Sequence, residues 1–285
     1  MGVRTDLAHE MHEICRRRAG NVSEIDGVSS CVEKIGDISI TRVNILDENG
    51  EKVLGKAKGR YAAIEAPELK YDNNTYERVC RLICDELIAM ADIEQEDITL
   101  VAGLGNDKIT ADALGQRVID KLMVTNHLRE YMTEEDTLGR VCAIKPGVLG
   151  TTGIETARIV CGVSSILHPK LIIAVDALAA ADISRVCTTI QLSDTGILPG
   201  SGVGNDREGI NEETTGTKVI AIGVPTVIDA ANISKYEIPE ELSPLAVTTK
   251  DIDLVIERMA LTVANGINLA LHRNITLSEI AGYVG

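Results

Sequence analysis

Asp112 and Asp176 are the residues whose surroundings best suit them to chemistry. Asp176 closes the run Leu171-Ile172-Ile173-Ala174-Val175, five aliphatic residues without a polar break, preceded by His168-Pro169. A short apolar run bounded in this way reads as a fully buried parallel strand. Strands of that kind present their ligands at the carboxyl end. Asp112 opens a second Asp-Ala-Leu, Asp112-Ala113-Leu114, just past another apolar run from Ile98 to Leu104. Taken singly, either aspartate is most simply a helix cap or a complement to a helix dipole. Placed together at one sheet edge, two close carboxylates cannot both ionise freely, and one holds a proton near neutral pH. The ionised partner can then deprotonate water while the neutral one protonates a carbonyl oxygen or leaving amine. That combination hydrolyses amides without a metal or a nucleophilic side chain.

Other motifs carry less. Gly103-Leu104-Gly105-Asn106-Asp107-Lys108 starts like a dinucleotide fingerprint, but Lys108 stands at the third glycine position, so the helix is not expected to pack close to the strand in the usual way. No ribose-binding acid follows, because the next strand closes on Lys145-Pro146. The segment Gly200-Ser201-Gly202-Val203-Gly204-Asn205 lacks the Lys-Ser/Thr of a phosphate loop. Glycines this dense let a backbone approach a substrate, and a plain surface loop explains them equally well. Asp194-Thr195-Gly196 copies the tripeptide of pepsin-like proteases, yet those folds are all-β and supply it twice. Here it reads as a decoy, with Asp194 a turn residue or a support to the site. There is no Gly-x-Ser-x-Gly elbow. The five histidines are scattered, which places them at surfaces or helix ends and leaves a metal site without a local His.

The elements that must position the two aspartates follow from periodicity. Ile38, Ile40, Val43 and Ile45 form a broken alternation, and Arg60 to Glu65 reads as a partner strand, giving a small antiparallel N-terminal piece. Asn74 to Asp92 is an amphipathic helix with Tyr76, Val79, Ile83, Leu87 and Met90 on one face. Strand and helix patterns then alternate: strand Ile98–Leu104, a helix through Leu114 and Val118, strand Val141–Ile144, helix Glu155 to Leu167, strand Leu171–Val175. A short Ala-rich helical stretch is expected after Val175, then strands Thr188–Leu192 and Val219–Gly223, the latter stopped by Val224-Pro225. A long helix starts near Asp251. This alternation predicts an α/β fold with a mostly parallel sheet covered by helices on both faces. No repeat or linker divides the chain, so residues 1–285 are expected to form one domain.

Bulk properties narrow the function. The chain has 285 residues, a net charge of −15, six Tyr, no Phe and no Trp. Its core must therefore be aliphatic. The acidic field and scarcity of aromatics argue against direct nucleic-acid binding. Seven cysteines without a Cys-x-x-Cys pair read as reduced thiols filling small core positions. With no signal region and no apolar run long enough for a bilayer, a cytoplasmic protein without a membrane partner is expected.

Several longer motifs occur in order: Thr110-Ala111-Asp112-Ala113-Leu114-Gly115, Pro146-Gly147-Val148-Leu149-Gly150, Thr152-Gly153-Ile154-Glu155-Thr156, Ala174-Val175-Asp176-Ala177-Leu178-Ala179-Ala180, Gln191-Leu192-Ser193-Asp194-Thr195-Gly196-Ile197 and Pro199 to Asn205. Val3-Arg4-Thr5-Asp6-Leu7-Ala8, Gly59-Arg60-Tyr61 and Ala264-Asn265-Gly266-Ile267-Asn268 extend the set to both ends. The set resembles the spore germination proteases of endospore-forming bacteria. The resemblance implies an atypical aspartic endopeptidase with no cofactor or metal, degrading small acid-soluble spore proteins in the spore core. It also implies a fold similar to that of hydrogenase-maturation endopeptidases, a zymogen form and a homotetramer. Catalysis would carry over to Asp112 and Asp176, with Asn106, Lys145, Asp194, Ser201 and Asn205 near the substrate cleft or supporting it. A metal-dependent maturation-type peptidase on the same fold, or an inactive peptide-binding relative, are the alternatives.

Three departures from the family pattern stand out. Only Met1-Gly2-Val3 precede Arg4-Thr5-Asp6-Leu7-Ala8, which puts self-processing in question. The chain is shorter between Asp229 and the C-terminal helix. Lys145 stands before Pro146-Gly147 where an apolar residue is expected. Close to Asp112 or Asp176, Lys145 would lower their pKa values.

Overall fold

The computed structural model describes residues 5–20, 24–131, 138–199, 207–233 and 245–284. Among them run nine strands: β1 (Val28–Ile35), β2 (Ile38–Ile45), β3 (Gly59–Glu65), β4 (Ile98–Gly103), β5 (Arg140–Ile144), β6 (Leu171–Ala180), β7 (Thr189–Ser193), β8 (Lys218–Asp229) and β9 (Ala246–Val247). They form one sheet in the order β1-β2-β3-β7-β8-β6-β4-β5, with β9 paired to the end of β8.

The α/β class and the helices on both faces are as expected from sequence. Alternate residues of the central strands separate the two layers. Val101, Ile173, Val175 and Ile220 pack with helices Asn73–Met90 and Ile252–Leu271, through Val79, Ile83, Met259 and Val263. Leu100, Ile172, Ala174 and Val219 face the other way, onto Ala157 and Val160 of helix Thr156–Leu167. Helix Ile252–Leu271 is long and apolar enough to cross a membrane, with mean hydropathy 1.3, a feature missed in the sequence. Most of its residues are buried, however, and it serves as the core helix of this layer.

The sheet is less parallel than expected. Only the pairs β5–β4, β4–β6 and β6–β8 on this path are parallel. The antiparallel N-terminal strands β1 to β3 do not stand apart but join the sheet through β7, which itself runs antiparallel to β8. Direction was not readable for β7, because all five of its residues are buried and a doubly covered strand looks alike in either sense.

Two local expectations fail at the same place. The Ala-rich segment after Val175 is not helical: β6 continues to Ala180, because β8 is there to pair with it as far as Ala180↔Ile228. Nor does Pro225 stop β8, which runs on to Asp229. Register passes from Leu178↔Pro225 to Ala179↔Val227, leaving Thr226 as an extra residue. A bulge is where a strand tolerates proline and re-aims a side chain.

Candidate active site

The chain leaves β4 for β5 on one side and returns through helix Thr156–Leu167 to β6 on the other. The order therefore reverses between β4 and β6, and the crevice beyond their carboxyl ends is where an open α/β sheet binds ligands. Asp112 and Asp176 both line a cleft of about 410 Å³ at this point.

Asp112 is set by a tight turn. After β4, Gly105 takes φ +93°, and a Cβ there would stand 1.9 Å from the Asp112 carbonyl oxygen. The next residue, Asn106, donates its backbone N–H to that carbonyl and to Asp112 Oδ2, each at 3.0 Å. Gln116, buried on the following helix, donates to the Gly105 carbonyl at 3.0 Å. The bulged Thr226 of β8 donates its hydroxyl to Ala111 at 2.6 Å, tying the turn to the far wall. Close helix–strand packing is achieved after all, but by Gly115 rather than at position 108. A Cβ on Gly115 would lie 2.3 Å from the Val175 carbonyl.

Asp176 sits one residue beyond the last β4–β6 pair, Gly103↔Val175, where the β4 side of the strand loses its neighbour. It is 5% exposed, and its Oδ1 accepts the Ala177 N–H at 2.9 Å. Burial pushes its carboxyl well above the usual carboxylate range, and the charges of Asp112 and Asp6 push the same way. The Ala177 N–H and Arg207 oppose the shift. Asp112 is half-buried and also raised by burial, with the Asn106 N–H and Arg207 pulling it back. Both shifts favour the neutral acid, that of Asp176 more strongly.

Of the other residues singled out in the sequence, Asn106 lines the cleft. Lys145 does not: it is paired with Asp120 in a separate charged hollow that includes Arg117, Lys121 and Glu257. It therefore has no part in the acidity of the aspartates. Asp194 accepts from the Arg60 N–H at 2.7 Å and from Arg60 Nε at 2.6 Å, supporting the start of β3 outside the cleft lining. Ser201 and Asn205 lie outside the described residues. Histidines 9, 12 and 272 are buried rather than at the surface, although His272 closes helix Ile252–Leu271 and so stands at a helix end, the other expected placement.

Sequence reasoning missed Asp6 and Arg207, which both line the cleft. Asp6 lies in a motif noted for the resemblance, but nothing local joins it to a strand more than 160 residues away. The walls are otherwise mostly apolar, from Ile109, Val148, Leu178 and Leu198 among others, with Asn106, Thr156 and Thr226 as the uncharged polar members. The described lining carries three carboxylates and no imidazole or thiol. No three His, Cys, Asp or Glu side chains are grouped to hold a metal ion among the described residues.

Comparison with known proteins identifies the family. The family model described as germination protease matches residues 6–240. The chain belongs to the germination protease family. Germination proteases of Caldanaerobacter subterraneus subsp. tengcongensis and Clostridium tetani are 44% and 40% identical to it. The first similarity covers 98% of this chain and 97% of the relative, the second 100% of both. The germination protease of Oceanobacillus iheyensis is 36% identical over 99% of this chain and 97% of its own length. The Caldanaerobacter alignment spans 320 residues against 285 in this chain, so that relative carries internal residues this one lacks. A solved [NiFe] hydrogenase maturation protease, HycI from Thermococcus kodakarensis, superimposes with TM-score 0.37 and 19% identity. The superposition covers 64% of this chain and 98% of that one, and is too distant to bear on the chemistry. Membership in the germination protease family makes this chain a protease, a hydrolase of peptide bonds.

Proposed function

We propose that this germination protease is an endopeptidase of aspartic type, in which Asp112 and Asp176 share one proton and activate water. The observation that carries this reading is the meeting of two carboxylates, both raised by burial, in one cleft at the reversal of the sheet. Asp176, the more buried, holds the proton. Asp112, whose Oδ2 accepts the Asn106 N–H, is the carboxylate better able to stay ionised. A water between them gives a proton to Asp112 and its oxygen to the peptide carbonyl carbon. Asp176 passes its proton to the carbonyl oxygen, leaving a neutral tetrahedral diol. The proton on Asp112 then goes to the amide nitrogen as the C–N bond breaks, and a diol proton returns to Asp176. One water is consumed, and the pair ends in its starting state.

The substrates we assign are small acid-soluble spore proteins, met in the spore core by a homo-oligomeric enzyme. Their support is the family and its resemblance motifs. An extended segment with small apolar side chains fits the Ile109, Val148 and Leu178 walls. A cleft supplied with carboxylates and no imidazole does not favour the metal-dependent alternative. The test is incubation of the purified chain with a small acid-soluble spore protein, with and without a chelator, read by mass spectrometry. Internal cleavage insensitive to the chelator is expected. Cleavage lost with the chelator and restored by added metal would overturn the mechanism.

A further inference from the structure

Strand β6 is least secured where its chemistry lies. It outruns β4 by five residues, and its register with β8 breaks between Leu178 and Ala179. On the side that β4 vacates, Ala179 is held by Asp6. The Asp6 N–H donates to the Ala179 carbonyl at 2.9 Å, and the Ala179 N–H donates to Asp6 Oδ2 at 2.8 Å. The segment around Asp6 is itself fixed from two directions, and a third contact closes the strand it holds. Gln191 of β7 accepts the Ala8 N–H at 2.7 Å and donates to the Asp6 carbonyl at 3.2 Å. Lys56 donates to the Thr5 carbonyl at 3.0 Å. Glu10 accepts the N–H groups of Ala181 and Asp182 at 2.7 and 3.0 Å, closing the far end of the strand. So placed, the Asp6 carboxyl group also lines the cleft with Asp112 and Asp176.

We propose that Asp6 is a positioning residue for the Asp112–Asp176 pair: its carboxylate pins β6 at Ala179 and sets a second negative charge, beside that of Asp112, facing Asp176. The proposal rests on the aspartate-pair reading above. A chain-start segment thereby becomes part of the active site. The groups facing Asp176 are Asp112 from the turn after β4, Asp6 from the N-terminal segment and Arg207 from the opposite wall. Lys56 is a cation that feels the charges of both Asp6 and Glu10. Asp6 and Asp112 both favour the proton on Asp176, while Arg207 opposes it. Removing the Asp6 charge therefore lets Asp176 ionise at lower pH. Loss of the general acid produces the alkaline limb of the rate profile, so that limb moves toward acid.

The experiment is the pH profile of kcat/KM on a small acid-soluble spore protein for wild type, Asp6→Asn and Asp6→Glu, beside Asp176→Asn. Asp6→Asn keeps an acceptor oxygen for Ala179 and loses only the charge. Its alkaline limb is expected to move down by about half a pH unit, so its rate relative to wild type falls about threefold from the acid to the alkaline side. Asp6→Glu, which keeps the charge, holds the limb in place. A purely structural role changes thermal stability but moves no limb, and an unmoved limb in Asp6→Asn overturns the proposal. If Asp6→Asn does not fold, a displaced limb in Asp6→Glu overturns it instead. Cleavage by Asp176→Asn would overturn the aspartate-pair reading itself, whereas an unmoved limb beside an inactive Asp176→Asn sinks only the role of Asp6.

Discussion

One backbone N–H, that of Asn106, reaches both the carbonyl oxygen and Oδ2 of Asp112 at 3.0 Å each. The turn and the carboxylate are therefore fixed by the same donor, and whatever shifts the turn shifts the acid. Gly105 is the point of least tolerance, since its φ of +93° and its 1.9 Å approach to the Asp112 carbonyl both exclude a side chain.

Gly105→Ala is accordingly expected to lower stability by about 2–4 kcal/mol, from backbone strain and the forced movement of the turn. Cleavage should fall at least tenfold at temperatures where the variant remains folded. Urea unfolding and kcat/KM measured on the same preparation check both.

Asp176 should cost stability near neutral pH. Its folded pKa is raised, so between the unfolded value of 3.8 and the folded value the native state binds the proton more tightly than the unfolded chain. Its stabilising contribution is full below 3.8 and is lost as pH rises through that window. Asp176→Asn should thus be more stable than wild type at pH 7, with the gap closing at pH 4. Urea midpoints at the two pH values measure it. A gap that does not narrow on acidification contradicts the burial argument.

The buried histidines act in the opposite sense. Burial lowers His272 from 6.5 to about 4, and burial followed by the Arg185 and His12 charges lowers His9 from 6.5 to about 3. Each is neutral when folded, so its contribution is present above about 6.5 and is lost as pH falls. Replacing His272 with Gln should remove about 1.4 kcal/mol of acid sensitivity for each pH unit within the window from 6.5 down to about 4. Paired denaturation curves at pH 7 and pH 5 test the slope.

Asp194 offers a control on the Asp-Thr-Gly motif. It holds Arg60 at the start of β3 and is absent from the cleft lining. Asp194→Asn should change stability by about 1 kcal/mol and leave kcat unchanged. A kcat lowered a hundredfold would return Asp194 to the catalytic machinery.

What the sequence disclosed and withheld follows from range. The runs ending near Leu104 and at Val175 announce buried strands because no polar residue interrupts them, and each leads to one aspartate. Ala177 to Ala180 misled because alanine favours helices locally, whereas the strand there is imposed by β8 from a distance. Pro225 misled for a related reason, the bulge at Thr226 being a property of the pairing rather than of the proline. Lys145 is taken by Asp120, and Asp6 reaches Ala179, through contacts no spacing rule encodes. The places of Asp112 and Asp176 in the cleft were legible from the strand ends that lead to them, and motifs of the germination protease family point to the same two residues.

The central claim is that the two aspartates perform the hydrolysis together. The most direct measurement is cleavage of a small acid-soluble spore protein by Asp112→Asn and by Asp176→Asn, each shown to be folded by circular dichroism and urea unfolding. The account predicts that each variant loses about a thousandfold or more in kcat/KM. Either variant cleaving within tenfold of wild type would contradict it.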